Sequence, residues 1–334
     1  VYFLASPDNP TQRYLYRIGL DAAKPQRLTP VGQTGWHDYQ ISPNGRYAIH
    51  SGSAADSPPV VELVELPQHA TKRVLADNAE LRKRFGELKK AATEFFRVDI
   101  GDGVLLDGWC LKPPDFDPAK KYPLLVYVYG EPAGQTVADR WGGRNQLWHL
   151  MLAQRGYVVM SFDNRGTPAP RGRTWRKAMH RKLGILGPAD QAAALEKVLA
   201  ARPYLDPKRV GLWGWSGGGS TSLHAIFKYP QLYKTALAVA ALPLMLRNLP
   251  ARIGEFCCAT GQPIPETHGA IVRTVLESLA LKYRWVLERL EVMLGRRLNT
   301  VHIVGGGSQN RLLCRLAADG TQRTVVAGPV EATA

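Results

Sequence analysis

The stretch from Arg209 to Ser222, RVGLWGWSGGGSTS, constrains what this chain can fold into more than any other. A short apolar run leads to Gly214, Ser216 follows, and three glycines then open a helix-like segment from Ser220 to Tyr229. The order is strand, sharp turn, helix, with a serine at the apex. Gly214-Trp215-Ser216-Gly217-Gly218 fits the G-x-S-x-G elbow that presents a nucleophilic serine. Such a turn holds its serine in strained backbone geometry, and side chains on its neighbours would collide with the flanking elements. The helix start also offers free N–H groups and a positive dipole end to a developing oxyanion. A plain Gly-rich turn with a capping serine is the alternative, and the flanking strand and helix favour the nucleophile.

The rest of the chain supplies context. Short strands are predicted at Val1–Ser6, Arg13–Leu20, Trp36–Ser42, Arg46–Ser53 and Val60–Leu66, divided by turn signals such as Ser42-Pro43-Asn44-Gly45. Their even spacing suggests one propeller blade and part of another, or a small β subdomain. Asn78–Ala92 reads as a charged helix and linker. Beyond it strands and helices alternate: Thr93–Gly101, Val104–Lys112, Pro123–Tyr129, a helix at Asn145–Arg155, Tyr157–Phe162, a helix at Ala189–Ala201, Arg209–Trp213 and Thr235–Ala241. That alternation implies a doubly wound α/β sheet.

Composition excludes several classes. The 334 residues are 45% apolar and 21% charged, as in a globular protein of about two domains. The net charge of +15 is spread along the chain, with no zinc-finger or RNA-binding motif beside it, so no nucleic-acid partner is expected. Cys110, Cys257, Cys258 and Cys314 make no disulfide framework. No membrane-spanning run or signal peptide is visible. The chain opens at Val1 within a strand and without Met, so a longer N-terminus is expected and the lack of a leader is uninformative.

With these motifs in hand, Val1–Ala240 resembles the dipeptidyl peptidase IV branch of the prolyl oligopeptidase family. YLYRIGL, SPNGRYAIHSGS, DGWCLKPPDFDPAKKYPLLVYVYGEP, SFDNRGTPAPRG, DQAAALEKV and VGLWGWSGGGSTSLHAIFKYPQLYKTALAVA carry the likeness. The resemblance implies a serine peptidase acting on peptides, with no cofactor, and Ser216 as its acylating nucleophile. It implies that the Tyr129 hydroxyl and the Gly217 backbone N–H form the oxyanion hole. From its own sequence context Tyr129 could equally be a core aromatic. The branch often has Tyr after the serine, where this chain has Gly217. The paired glutamates that hold a substrate's amino terminus are not found, and Glu131 is no match for them.

An acyl-transfer serine needs a base and a carboxylate to orient it, in the chain order Ser, Asp or Glu, His for this fold. No Asp lies between Gly217 and Ala318, and no His follows Asp319. Glu255 or Glu266 with His268 or His302 satisfies order only, and His224 reads as a surface or packing residue. The Asp and His of a triad are therefore not found, and little turnover is expected.

After Ala241 the resemblance changes. ARIGEFC, TGQPIPET, GAIVRTVLESLALKYRWVLE, HIVGGGSQNRLL and AGPVEATA resemble the C-terminal domain of rhamnulokinase, in the FGGY carbohydrate kinase family. A long helix at Ala270–Gly295 has Ile271, Val275, Leu279, Val286, Leu290 and Met293 near helical spacing, followed by a strand at Thr300–Val304 and a helix at Ser308–Ala317. A glycine loop between strand and helix can bring backbone close to a nucleotide, though it can also be a simple tight turn. The resemblance implies ATP and a sugar, rhamnulose, as partners. It makes Gly305, Gly306, Gly307, Gln309 and Asn310 the adenine-nucleotide contacts. The kinase's sugar domain, phosphate loops and catalytic Asp are absent from this sequence.

The expected architecture is thus α/β throughout. Partial β-propeller blades span 1–76, a helical linker 77–93, an α/β-hydrolase sheet truncated after its nucleophile 94–241, and an actin-like (ribonuclease H-like) kinase fragment 242–334. The chain reads as a chimera of two truncated parts, whether a fusion or a join of unrelated fragments, with no metal site. The peptidase half implies an exported or periplasmic setting and the kinase half a cytoplasmic one.

Overall fold

The computed structural model describes residues 1–21, 24–241, 249–303 and 305–328. The chain divides into two units, Val1–Met245 and Leu246–Ala334. The expected change of ancestry between Ala241 and Arg252 falls largely on residues 242–248, outside the described ones, as does Val304.

The first unit begins with two small antiparallel sheets. β1 (Tyr2–Ala5), β2 (Tyr14–Arg17) and β3 (Gln26–Arg27) form a three-stranded sheet. β4 (Trp36–Ile41), β5 (Tyr47–Ala54), β6 (Ser57–Glu65) and β7 (Ala70–Ala76) form a four-stranded meander, the shape of one propeller blade. Leu15, Leu28, Ala48, Val64 and Leu66 pack between them. A short helix, α1 (Ala79–Glu87), comes after the meander and buries only Phe85.

Long-range hydrogen bonds tie these small sheets to Asp139 and Gln146, more than 60 residues further along the chain. The Asp139 carboxylate accepts from Gln12 Nε2 at 2.9 Å and from the Ala55 backbone N–H at 2.9 Å. The Gln146 amide donates to the Ala55 carbonyl.

A six-stranded sheet comes next, in the order β13-β12-β10-β11-β9-β8. Its elements in chain order are β8 (Glu94–Asp99), β9 (Leu105–Leu111), β10 (Tyr122–Tyr127), α2 (Gly143–Gln154), β11 (Val158–Asp163), α3 (Gly172–Lys177), α4 (Leu186–Ala201), β12 (Leu205–Trp215), α5 (Gly217–Lys228) and β13 (Thr235–Val239). The four strands from β11 to β13 run parallel, and β9 and β8 close one edge antiparallel. Apolar residues cover both faces, as a parallel sheet requires. Leu124, Val126, Met160, Phe162 and Leu212 pack against Leu195 and Val198 of α4 on one side. Trp109, Leu111, Val159 and Leu150 of α2 form the other core.

The chain passes from β10 to β11 on one side, then returns to place β12 on the other. Strand order therefore reverses at β10. In open α/β sheets the crevice beyond the carboxyl ends of the strands at such a point is where ligands bind.

The second unit holds α6 (Leu249–Ala259), α7 (His268–Leu294), β14 (Thr300–Ile303), a 3-10 turn (Gly305–Gln309), α8 (Arg311–Thr321) and β15 (Thr324–Ala327). β14 and β15 pair in parallel across α8. Glu291 accepts two hydrogen bonds from Arg323, at 3.0 and 3.1 Å, and one from Leu298 N–H at 2.7 Å, joining the end of α7 to the start of β15. The apolar face expected on α7 is only thinly covered. Ala280 is buried, but Leu279, Val286 and Leu290 are exposed. Among the described residues of this unit only α8 packs extensively along α7, so a helix patterned for burial keeps much of its face uncovered.

Candidate functional site

β10 and β12 deliver the two side chains of interest to the same edge. They are neighbours in the sheet, with Tyr127 opposite Trp213, and Val128 N–H donates to the Trp213 carbonyl at 2.9 Å. Tyr129 lies just past the end of β10 and Ser216 just past the end of β12, so both stand at the carboxyl ends of central strands where the order reverses. The sheet topology thus brings together residues separated by 87 positions, 216 minus 129.

Ser216 sits at φ 56° and ψ −117°, a region that side-chain-bearing residues seldom occupy. Its N–H donates to the Val239 carbonyl of β13 at 2.9 Å, and its carbonyl accepts from Ser220 N–H at 3.0 Å to start α5. Helix α5 begins at Gly217 rather than at Ser220, because the glycines are required by packing rather than disfavoured by propensity. A Cβ on Gly218 would stand 2.2 Å from the Val128 carbonyl oxygen, and one on Gly214 would stand 2.4 Å from that oxygen and from the Gly218 backbone. Strand, elbow and helix fit together only with bare backbone there. Gly217 is the first residue of α5, so its N–H has no carbonyl one helical turn earlier to pair with.

Tyr129 lies past the strand instead of within it, half-buried, and belongs to no core cluster. Its carbonyl accepts from Thr221 Oγ1 of α5 at 3.1 Å, and the Gly130 carbonyl accepts from Asn164 Nδ2 at 3.2 Å. The loop after β10 is thereby gripped by the helix that begins at Gly217. It is also gripped by the loop after β11, where Asp190 binds Arg165 through its backbone N–H, Nε and a terminal nitrogen at 2.7–3.0 Å. Asp163, fully buried, accepts from Thr136 N–H at 3.0 Å and from Val137 N–H at 3.3 Å. Sequence alone singles out none of these positioning residues. Their partners lie 25 to 92 positions away, and no local pattern marks them.

Glu131 is the residue that sequence reasoning passes over. Its carboxylate lies against Gly217, and it has no hydrogen-bond or ion-pair partner among the described residues. Burial raises its pKa above the ordinary carboxylate range.

Among the described residues the structure brings no base to the serine, and no imidazole or carboxylate among them hydrogen-bonds the Ser216 hydroxyl. His224 packs over Gly184, and burial lowers its pKa. His149 is buried against Trp213, whose Nε1–H donates to its Nε2 at 3.1 Å, and burial lowers its pKa to about 3. Glu255, Glu266, His268 and His302 all belong to the second unit.

In that second unit Gly305, Gly306, Gly307 and Gln309 form the 3-10 turn. Asn310 caps α8, its side-chain oxygen accepting from Leu313 N–H at 3.0 Å. A Cβ on Gly307 would meet Ile303 at an ordinary 3.6 Å, so close packing does not by itself require glycine there. Among the described residues there is no cluster of three metal-ligating side chains, and no helix is long and apolar enough to cross a membrane.

A serine at a strained strand–helix elbow, on the switch edge of a doubly wound sheet, defines an α/β-hydrolase scaffold of the serine type. Residues 145–250 match the sequence model of the prolyl oligopeptidase family, and residues 1–59 match that of the dipeptidyl peptidase IV (DPP IV) N-terminal region. Over these matched residues the chain is similar to the prolyl oligopeptidase family, in its DPP IV-like branch. Among curated relatives, "Probable dipeptidyl-aminopeptidase B" of Emericella nidulans is 34% identical over 227 residues, 68% of this chain and 24% of the relative. The chain thus spans about a quarter of the length of the curated relatives it matches. The crystal structure of Porphyromonas gingivalis dipeptidyl peptidase 4 is 34% identical, with a TM-score of 0.66, over 72% of this chain and 33% of that one. A Bacteroides ovatus structure, provisionally named a dipeptidyl aminopeptidase IV, aligns with 96% of this chain and 43% of its own at a TM-score of 0.60. At 23% identity that likeness is one of fold alone.

Proposed function

We propose that the first unit is the serine-bearing part of a DPP IV-type serine peptidase, with Ser216 as the residue acylated by a peptide substrate. The observation that carries this is the backbone of Ser216, held at φ 56° between β12 and α5 beside the loop of Tyr129. The Ser216 hydroxyl attacks the scissile carbonyl. The Gly217 N–H and the Tyr129 hydroxyl donate to the oxygen on which charge develops, solvent water carries the serine's proton to the departing amine, and a second water releases the acyl group as the acid and restores the Ser216 hydroxyl. Each such donor is worth about 10²–10³ in turnover. Removal of the serine's proton has no base among the described residues. Turnover should therefore stand near the residual of binding and oxyanion stabilisation, roughly 10³–10⁴ over water.

A fluorophosphonate probe tests the assignment, with hydrolysis of dipeptidyl p-nitroanilides measured alongside. Slow labelling confined to Ser216 and absent in Ser216→Ala is the expected result. Labelling unchanged by that substitution would remove Ser216 from the mechanism. A rapid burst would show that a base reaches the serine after all.

A second reading, resting on the sequence resemblance, makes residues 242–334 the adenine-binding part of an FGGY carbohydrate kinase joined to the hydrolase as a chimera. The supporting observation is the succession β14, glycine turn, α8, β15, with its two strands parallel. ATP would bind weakly at the Gly305–Gln309 turn, with rhamnulose as the ancestral sugar. No phosphoryl transfer is expected without the groups that position the phosphates and the base for the attacking hydroxyl. ATP-dependent phosphorylation of rhamnulose by the purified chain would overturn this.

A further inference from the structure

A cavity of about 400 Å³ opens beside Tyr129, walled by Arg13, Trp36, Gln135, Thr136 and Arg140. Its polar character is one-sided, since none of the described residues that line it is acidic. The Arg140 guanidinium makes no ion pair or side-chain hydrogen bond among the described residues. The neighbouring carboxylate of Asp139 is engaged by Gln12 and Ala55 instead. Arg13 is half-buried, pairs with the exposed Asp38 and donates to the His37 carbonyl. The two guanidinium carbons lie 4.2 and 5.7 Å from the centroid of the same Trp36 ring. Burial, then the charge of Arg140, lowers the pKa of Arg13 to about 10. Trp36 is itself buried, and its indole N–H has no acceptor among the described residues. The Tyr129 hydroxyl likewise has no partner among the described residues.

Donors without acceptors among the described residues accumulate in this one place, with two like charges beside the same aromatic ring. Left in water alone, that arrangement costs Coulomb repulsion and an unsatisfied buried donor. An anionic acceptor between the two guanidinium groups would relieve the repulsion. A planar carboxylate suits a guanidinium fork, which can bind both of its oxygens at once. Backbone pairing fixes Arg13 next to Trp36, so the site is in place before any ligand arrives.

We propose that this cavity is a carboxylate subsite, and that the peptide bound at the Ser216 edge carries an acidic group seated between Arg13 and Arg140. The inference rests on the peptidase reading for its choice of a peptide. Tyr129 belongs to both the cavity and the elbow region, so one ligand can occupy the two together. Salt should weaken binding, because one partner is an accessible cation.

The test is isothermal titration of the full chain carrying Ser216→Ala, which removes any turnover. Acetyl-Ala-Asp-amide offers a side-chain carboxylate, acetyl-Ala-Ala a terminal one, and acetyl-Ala-Asn-amide neither. At least one acid should bind about tenfold more tightly than the neutral amide, the usual worth of a hydrogen bond to a charged group. Which acid wins identifies the source of the carboxylate. Arg140→Gln should remove that preference and Arg140→Lys should keep part of it, with circular dichroism confirming the fold. Equal binding of the three peptides would overturn the proposal. So would inorganic phosphate competing better than either acid, or a preference that survives Arg140→Gln. The comparison of peptides needs no variant at Arg140, so a misfolded substitution does not blunt it. If the acids bind while fluorophosphonate fails to label Ser216 in the unaltered chain, the peptidase reading falls and the carboxylate site stands. If Ser216 is labelled and no acid is preferred, the reverse holds.

Discussion

A Cβ built on Gly217 would stand 2.4 Å from Oε2 of Glu131, so these two residues share one space beside the serine. The obstacle is the end of a flexible, half-buried side chain, which can swing out. At Gly218 it is the Val128 carbonyl, 2.2 Å away, which cannot move without its strand. Gly217→Ala should therefore change stability by less than about 1 kcal/mol, while Gly218→Ala should cost about 3 kcal/mol or more. Urea denaturation of the two variants gives the comparison. Burial now raises the Glu131 pKa, so the folded state holds its proton to higher pH than the unfolded state does. That contribution is full below the unfolded pKa and is lost as pH rises through the folded one. Moving Glu131 into solvent should flatten this slope in Gly217→Ala.

Ser216 carries a positive φ that glycine adopts without strain. Ser216→Ala keeps a Cβ in that conformation and Ser216→Gly does not. The glycine variant should be the more stable of the two by about 1 kcal/mol, the low end of the cost of such strained positions. Equal melting temperatures would show that the elbow stores no strain. Neither variant should be labelled by fluorophosphonate.

Much of this geometry is legible in the sequence, because it is local. The apolar run before Ser216 and the glycines after it specify strand, turn and helix within a dozen residues. The four-stranded meander of Trp36–Ala76 is marked by Asn44-Gly45 and its alternating strands. The features that sequence does not reveal are non-local. Glu131 carries no local mark because its significance lies in contact with a residue far along the chain. Asp139 joins the blade to the hydrolase sheet through partners 127 and 84 positions away. Sequence places the start of α5 three residues late, since propensity counts glycine against a helix, whereas here neighbouring backbone leaves room for nothing else. Helix α7 shows the opposite case, a clear apolar period that the fold leaves largely uncovered.

The blade holds a cluster of histidines that should make it acid-sensitive. His37 Nδ1 and His50 Nε2 are 2.8 Å apart, sharing one proton, and His50 Nδ1 is 2.9 Å from Glu62. Tyr39 OH and His69 Nε2 are 2.8 Å apart. Burial, then His50, lowers the pKa of His37 to about 4, and burial lowers those of His50 and His69. The unfolded chain takes up these protons near the ordinary histidine pKa of about 6.5, before the folded chain does. Stability should thus be level above that pH and fall as pH drops from about 6.5 toward 4. Urea midpoints at pH 7.5, 6 and 5 should decline in that order. His37→Gln should reduce the decline, and an unchanged slope would mean that the cluster titrates alike in both states.

Asn310 separates two roles that the second unit offers it. By resemblance it touches a nucleotide, yet its side chain is already engaged, accepting from Leu313 N–H to cap α8. Losing an asparagine cap costs about 1 kcal/mol in typical helices. Asn310→Ala should therefore destabilise α8 by about that amount with no nucleotide present, read as faster amide hydrogen exchange over Arg311–Thr321. Asn310→Asp or Asn310→Ser keeps a capping oxygen and should restore protection. If ATP binding is real and uses this side chain, the restored variants should still bind ATP more weakly than the native chain, because the amide is gone while the cap remains. If the side chain serves only the helix, ATP affinity should follow exchange protection through all three variants. Fluorescence titration with a labelled ATP on the same samples distinguishes the two patterns.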